Sequence, residues 1–177
     1  MKHEDYMHAA AYWDEKDAAG VKMEPGALRE AIEDFIRSHN TCALATGSGD
    51  YVRVTPIEYA WRGGAFWMFT EGGHKFIGLE KNKAVALAVY EPYSGFGAVH
   101  GLQVQGTAEL IEPFSAPYIE AAEFKKIPVE ALKKLPEPMH LLKVLPEEMT
   151  YLNSDFRKDG YNSRQTWKKG CSDDSRK

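Results

Sequence analysis

Apolar and polar residues repeat along this chain with a period that changes, and the changes mark out its elements. Between Pro25 and Arg37 the apolar positions Leu28, Ile32, Phe35 and Ile36 recur at helical spacing, with Arg29, Glu30, Glu33 and Arg37 opposite. Pro25 suits the first helical position, where its missing N–H costs nothing, and Ser38-His39-Asn40 ends the helix. A shorter helix is predicted ahead of it, from Tyr6 to Asp17, and its Tyr6, Tyr12 and Trp13 need a surface to cover. From Thr41 the period becomes two. Thr41–Ala45 reads as a strand, Gly47–Asp50 as a turn, Tyr51–Trp61 as a second strand, Arg62–Gly64 as a reversal and Phe66–Thr70 as a third strand. Connections this short imply antiparallel neighbours. Pro56 lacks a ladder donor, so its strand should meet an edge, a bulge or a ligand there.

After Glu71-Gly72-Gly73 the pattern predicts a helix from about His74 to Lys81, a buried strand Ala84–Tyr90 and a loop Glu91–Ala98. Val99–Ile111 alternates, with Leu102, Val104, Ala108 and Leu110 on one side and Gln103, Gln105, Thr107 and Glu109 on the other. That is a long strand with one wet face. Ala116–Phe124 and Val129–Leu135 read as helical segments split by Pro128. His140–Leu145 and Met149–Leu152 read as closing strands around Pro146. Hairpin-linked strands with helices at ends and crossovers predict a mainly β fold with flanking helices, a small closed barrel in a single domain. The expected limits are an N-terminal helical arm over 1–24, the barrel over 25–157 and a polar C-terminal tail over 158–177, disordered from Lys168.

A length of 177 residues suits one domain. A net charge of -4 without a basic stripe argues against a nucleic-acid partner. No apolar run approaches the roughly 20 residues that span a bilayer, and charged residues within the first five positions speak against a secretory signal. No membrane partner and a cytoplasmic setting are therefore expected. Cys42 lies in an apolar run and Cys171 in the polar tail, which argues against a bridge between them. Cys42 reads as a small core residue. The histidines His3, His8, His39, His74, His100 and His140 lack metal-ligand spacing.

The stretch Thr70-Glu71-Gly72-Gly73-His74-Lys75 carries the most chemistry. Glycines let successive N–H groups turn toward one point, a helix start adds partial positive charge, and Lys75 adds a full one. A phosphate seat is one reading; a plain strand-to-helix turn with a solvated lysine is the other. Arg53 can grip a phosphate bidentately or form a surface ion pair. Glu58 reads as a solvent-facing acid or a proton donor in a pocket. Trp61 and Trp67 flank a hairpin and are expected to pack across it. Trp167 would cap a flat ligand or anchor the tail.

The segment from Tyr51 to Leu110 resembles the core of the pyridoxamine 5'-phosphate oxidase-like, FMN-binding split-barrel superfamily. The likeness lies in an arginine strand, an aromatic strand ending in Thr70, a short loop with Lys75 opening a helix, the run Asn82-Lys83-Ala84-Val85-Ala86-Leu87 and a strand ending in Gly106-Thr107-Ala108. It runs well from about Thr41 to Glu112 and loosely on to Asn153. Glu58 stands five positions after the strand arginine, where the founding oxidases carry a second basic residue. Gly73-His74-Lys75 replaces their Ser-Arg-Lys, and Gly160–Trp167 is the nearest match to their C-terminal signature. The likeness is closer to flavin-reductase-like members, including those related to nitroimidazole-resistance proteins.

The resemblance implies that Arg53 contacts the FMN phosphate or ribityl chain and that Val54 and Thr55 meet the ring edge through backbone groups. It implies that Phe69 and Thr70 line the cofactor, that His74 and Lys75 hold the phosphate, and that Gln105 lies on the strand facing a partner chain. It further implies a homodimer with flavin at the two-fold interface and flavin-mediated hydride or electron transfer on a small-molecule substrate. Two other readings stay open: a non-catalytic flavin- or haem-binding module, with His100 or His74 as haem ligand, and an enzyme that uses a deazaflavin.

Overall fold

The structure, a computed structural model, describes residues 2–170. Cys171 and the rest of the expected disordered tail lie outside the described residues. The helices are α1 (His3–Ala18), α2 (Pro25–Arg37), α3 (Lys75–Lys81), α4 (Ala116–Phe124) and α5 (Val129–Leu132). The strands are β1 (Thr41–Ser48), β2 (Tyr51–Glu58), β3 (Ala60–Arg62), β4 (Ala65–Thr70), β5 (Ala84–Tyr90), β6 (His100–Ile111), β7 (His140–Asn153) and β8 (Arg164–Lys168).

The strands form one antiparallel sheet in the order β2-β1-β5-β6-β7-β4-β3, with β8 added to β7. The segment read as one strand from Tyr51 to Trp61 breaks at Tyr59. Its first part pairs with β1 and its second with β4. At the break the Tyr59 N–H donates to the Asn40 carbonyl at 2.8 Å and its hydroxyl to the Ile36 carbonyl at 2.7 Å. One kinked strand thus serves both ends of the sheet and curls it into a split barrel. Pro56 falls in β2, the edge of the strand order, where a missing donor is tolerated.

The barrel core takes Cys42 and Leu44 from β1, Phe66 and Met68 from β4, and Leu102 and Val104 from β6. Helix α2 caps it with Leu28, Ile32, Phe35 and Ile36, each contributing about 1.5–3 kcal/mol on burial. A second, smaller core lies outside the barrel. There Ile111 and Leu141 meet Tyr118, Ala121 and Ala122 of α4 and Leu132 of α5. Strand β6 serves both: its alternation reverses at Leu110, which is exposed, so that Ile111 faces the second core.

Four expectations change. Helix α1 buries no residue, and its Tyr6, Tyr12 and Trp13 stay exposed. The two closing strands are one, β7, with the ladder shifted beside Gln105 and Gly106. Trp61 pairs with Phe66 while Trp67 pairs with Ala60, which puts the two indoles on opposite faces. Part of the segment taken as a polar tail is strand β8, where Trp167 packs against the barrel core with the Arg29 guanidinium 4.4 Å from its ring. Among the described residues no helix is long and apolar enough to cross a membrane.

Candidate functional site

Directly paired residues of neighbouring strands share a face, so the β1–β2 register fixes where each side chain of β2 stands. Cys42 pairs with Ile57, Leu44 with Thr55, Thr46 with Arg53 and Ser48 with Tyr51. Cys42 and Leu44 belong to the barrel core. Arg53, Thr55 and Tyr51 therefore face the barrel side, and Val52, Val54, Pro56 and Glu58 the outside.

The loop after β4 and the start of α3 come to that same side. The Tyr51 hydroxyl donates to the His74 carbonyl at 2.8 Å, tying the loop to β2. Gly72 and Gly73 hold φ of 116° and 97°, which side-chain-bearing residues rarely adopt. Gly78 lets α3 sit against the end of β1, because a Cβ there would lie 3.0 Å from the Gly47 nitrogen. These contacts bring Lys75 inward until it is only 6% exposed.

Its ammonium donates to the Gly72 carbonyl. Burial holds its pKa below the ordinary lysine value, and the positive charge of Arg53 pushes the same way. Arg53 itself makes no hydrogen bond or ion pair among the described residues. Two cations from separate elements thus face one another across a space that no described carboxylate neutralises. A buried cation beside an unpaired one is unfavourable on its own, and an anion between them relieves it. Helix α3 has only seven residues, so the seat rests on these two side chains and the glycine loop rather than on a helix end. Arg53 does not pair with Thr70, whose ladder partner is His140.

Two hydroxyls add to this picture. Thr46 and Thr55 each keep a buried Oγ1 without a hydrogen-bond partner. Thr46 is the residue opposite Arg53. Sequence reading missed it by ending the first strand at Ala45; the signal was present, since Thr46 follows Cys42 and Leu44 on the inward face.

The remaining candidates separate. Thr70 is buried on the barrel side beside Met68, at the start of the loop. The His74 side chain is exposed. The Phe69 ring points the other way and packs edge-on against Tyr118, centroids 5.2 Å apart, in the second core. Val54 and Gln105 lie on the outer face, in one row across the sheet: Val54 pairs with Ala45, Ala45 with Ala86 and Ala86 with Gln105. A hollow of about 540 Å³ opens on this outer face, lined by Ala45, Val52, Ala86 and Gln105 among others. A separate apolar cavity of about 520 Å³ lies between α3 and β6, but neither Arg53 nor Lys75 lines it.

Several alternatives lose ground. Glu58 is ion-paired to Lys125 at 2.8 Å. The Nδ1 of His100 stands 3.0 Å from Glu91 and its Nε2 3.5 Å from Asp155, so the ring is held by protein carboxylates. Burial pushes the Cys42 thiol up to about 12, far from a reactive thiolate. No cluster of three metal-ligating side chains occurs among the described residues.

Comparison with known proteins agrees with this geometry. The model of the pyridoxamine 5'-phosphate oxidase family matches residues 28–153, most of the chain and all of the barrel strands up to β7. The chain belongs to that family. No curated relative matches the sequence. Among solved structures, an FAD-binding protein from Mesorhizobium loti superposes with a TM-score of 0.56 at 17% identity, over 70% of this chain and 90% of its own. HutZ, the heme storage protein of Vibrio cholerae, gives 0.55 at 18% identity over 72% and 92%. Campylobacter jejuni ChuZ gives 0.63 at 14% identity over 84% of this chain and 62% of its own. These likenesses establish the split-barrel fold of the family member.

Proposed function

We propose that this chain is a flavoprotein that binds FMN between two copies of itself and serves as an oxidoreductase toward a small molecule. One observation carries the reading: Arg53 and Lys75, brought together from β2 and α3, have no carboxylate partner among the described residues. A terminal phosphate is the group that two such cations hold best. The unpartnered hydroxyls of Thr46 and Thr55 on the same face fit an oxygen-rich tail beside that phosphate.

The homodimer is supported by the outer face. Val52 is 76% and Val54 59% exposed, and they continue into Ala45, Ala86 and Gln105, around the hollow of about 540 Å³. An apolar strip of small side chains on a sheet suits a flat two-fold contact. In a dimer the seat of one copy and the outer face of the other would together enclose the cofactor. Val54 and Gln105 would then act from the partner's side, while Arg53, Thr55 and Lys75 act from the first.

Flavin, when bound, supplies the hydride or electron transfer. The chain supplies grip through Lys75 and Arg53, placement of the loop through Tyr51, and shielding from water through the packed sheet faces. A second reading, a non-catalytic carrier of flavin or haem, draws on the likeness to the heme storage protein of Vibrio cholerae.

The test is direct. Protein purified with added FMN should be yellow, and apo-protein titrated with FMN should saturate at one flavin per chain. A sharp Soret band with haem and no uptake of FMN would overturn the flavin reading. Steady consumption of NAD(P)H with an electron acceptor separates the enzyme from the carrier.

A further inference from the structure

We infer that Thr46, with Thr55 as its diagonal neighbour, is a ligand-anchoring residue of the flavin seat; the inference rests on the FMN reading above. Thr46 is only 3% exposed, and its Oγ1 has neither a hydrogen-bond partner nor contact with solvent. Buried polar atoms are almost always paired, and an exception calls for a cause. The two residues before it on the same face, Cys42 and Leu44, are apolar and belong to the core. A valine would fill the Thr46 position without leaving an unpaired oxygen. The fold alone gives no reason for a hydroxyl there.

Its place supplies one. Thr46 stands opposite Arg53 in the ladder, where paired Cβ atoms lie about 4.5–5.5 Å apart. Thr55 lies two residues along from Arg53 on the same face. The two orphaned hydroxyls therefore flank the guanidinium that has no anion, and all three deficits meet in one place. A ligand whose phosphate or polyol oxygens reach Arg53 satisfies the hydroxyls in the same step. On this account the free protein carries an uncompensated desolvation cost, and the ligand removes it.

The isosteric substitution Thr46→Val separates this role from a structural one because its two effects have opposite signs. Removing an unsatisfied buried hydroxyl while keeping the shape is neutral or stabilising. The melting temperature of apo-Thr46→Val should therefore equal or exceed that of the wild type. Its dissociation constant for FMN should rise roughly five- to tenfold, as for one lost hydrogen bond of ordinary strength. Thr46→Ser, which keeps the oxygen, should bind FMN within about twofold of the wild type, and Thr55→Val should repeat the pattern. A melting temperature that falls in Thr46→Val with FMN affinity unmoved would assign the hydroxyl to the fold and overturn the inference. Equal FMN affinity at any stability would do the same. If wild-type protein takes up no FMN at all, the flavin reading fails first and this inference with it, an outcome visible before any variant is made.

Discussion

The two faces of β2 invert the usual order of a barrel strand. Its barrel side carries Tyr51, Arg53 and Thr55, ahead of the apolar Ile57; its outer side carries Val52, Val54 and Pro56. On β1, one strand inward, the order is conventional through Cys42 and Leu44 and changes only at Thr46, opposite Arg53. Polar groups inside and valines outside make no sense for an isolated soluble barrel, which gains most by the reverse. They make sense if each face meets something else: an anion on one side, a second copy of the sheet on the other. The comparison is therefore a functional statement, and it can be broken one face at a time.

The largest effect is expected on the outer face. Val54→Asp would place a carboxylate in the centre of the proposed two-fold contact, where burial of an unpaired charge costs several kcal/mol. Its dimer dissociation constant should rise at least a hundredfold in sedimentation analysis, with the monomer still folded by circular dichroism. A dimer as tight as the wild type would remove this face from the interface. The inner face comes next. Lys75→Ala and Arg53→Ala should each weaken FMN binding by about 1.5–3 kcal/mol, the loss expected for a charge-assisted hydrogen bond. Unchanged affinity in both would take the phosphate seat away.

How far the sequence showed these two faces depends on the kind of information each needed. Period-two alternation located the strands and the run at Leu28, Ile32, Phe35 and Ile36 located α2, because both patterns are local and both bury one side. The approach of Lys75 to Arg53 is not local. It depends on the break at Tyr59, on the pairing of Arg53 with Thr46 instead of Thr70, and on the tight packing of Gly78 against Gly47. Phe69 was misread for a related reason: in a strand that ends in Thr70, neighbouring residues point to opposite sides, and the second core that claims Phe69 comes from α4, far along the chain. The aromatic residues of α1 were expected to find cover, yet nothing within the chain buries them. Amphipathic pattern predicts docking only where the rest of the chain offers a surface.

The pH response of the inner face follows from Lys75, whose pKa burial and Arg53 hold below the usual 10.5. Arg53 stays charged throughout. An anion favours the protonated amine, so FMN affinity should be highest below the lowered pKa of Lys75 and fall as pH rises through it. Stability of the apo-protein should move the other way. Between the lowered folded value and 10.5 the unfolded chain binds more protons, so stability rises with pH across that window. A titration of FMN affinity against pH, set beside melting curves of apo-protein, reads both signs. Lys75→Ala should flatten both trends.

The smallest effect is expected where the two faces end together, at Tyr51. Its hydroxyl reaches the His74 carbonyl and so fixes the loop that presents Lys75, without itself carrying charge. Tyr51→Phe removes one partly exposed hydrogen bond and should cost about 0.5–1.5 kcal/mol at most. The cost should appear locally. Amide exchange at Phe76 and Ile77, whose N–H groups bond back to Gly73 and His74, should quicken, while the melting temperature shifts little. FMN affinity should fall several-fold less than in Lys75→Ala, because the cation remains and only its positioning loosens. If Tyr51→Phe weakened FMN as much as Lys75→Ala, the hydroxyl would be touching the ligand itself, and the division of β2 into a gripping residue and a bracing residue would have to be redrawn.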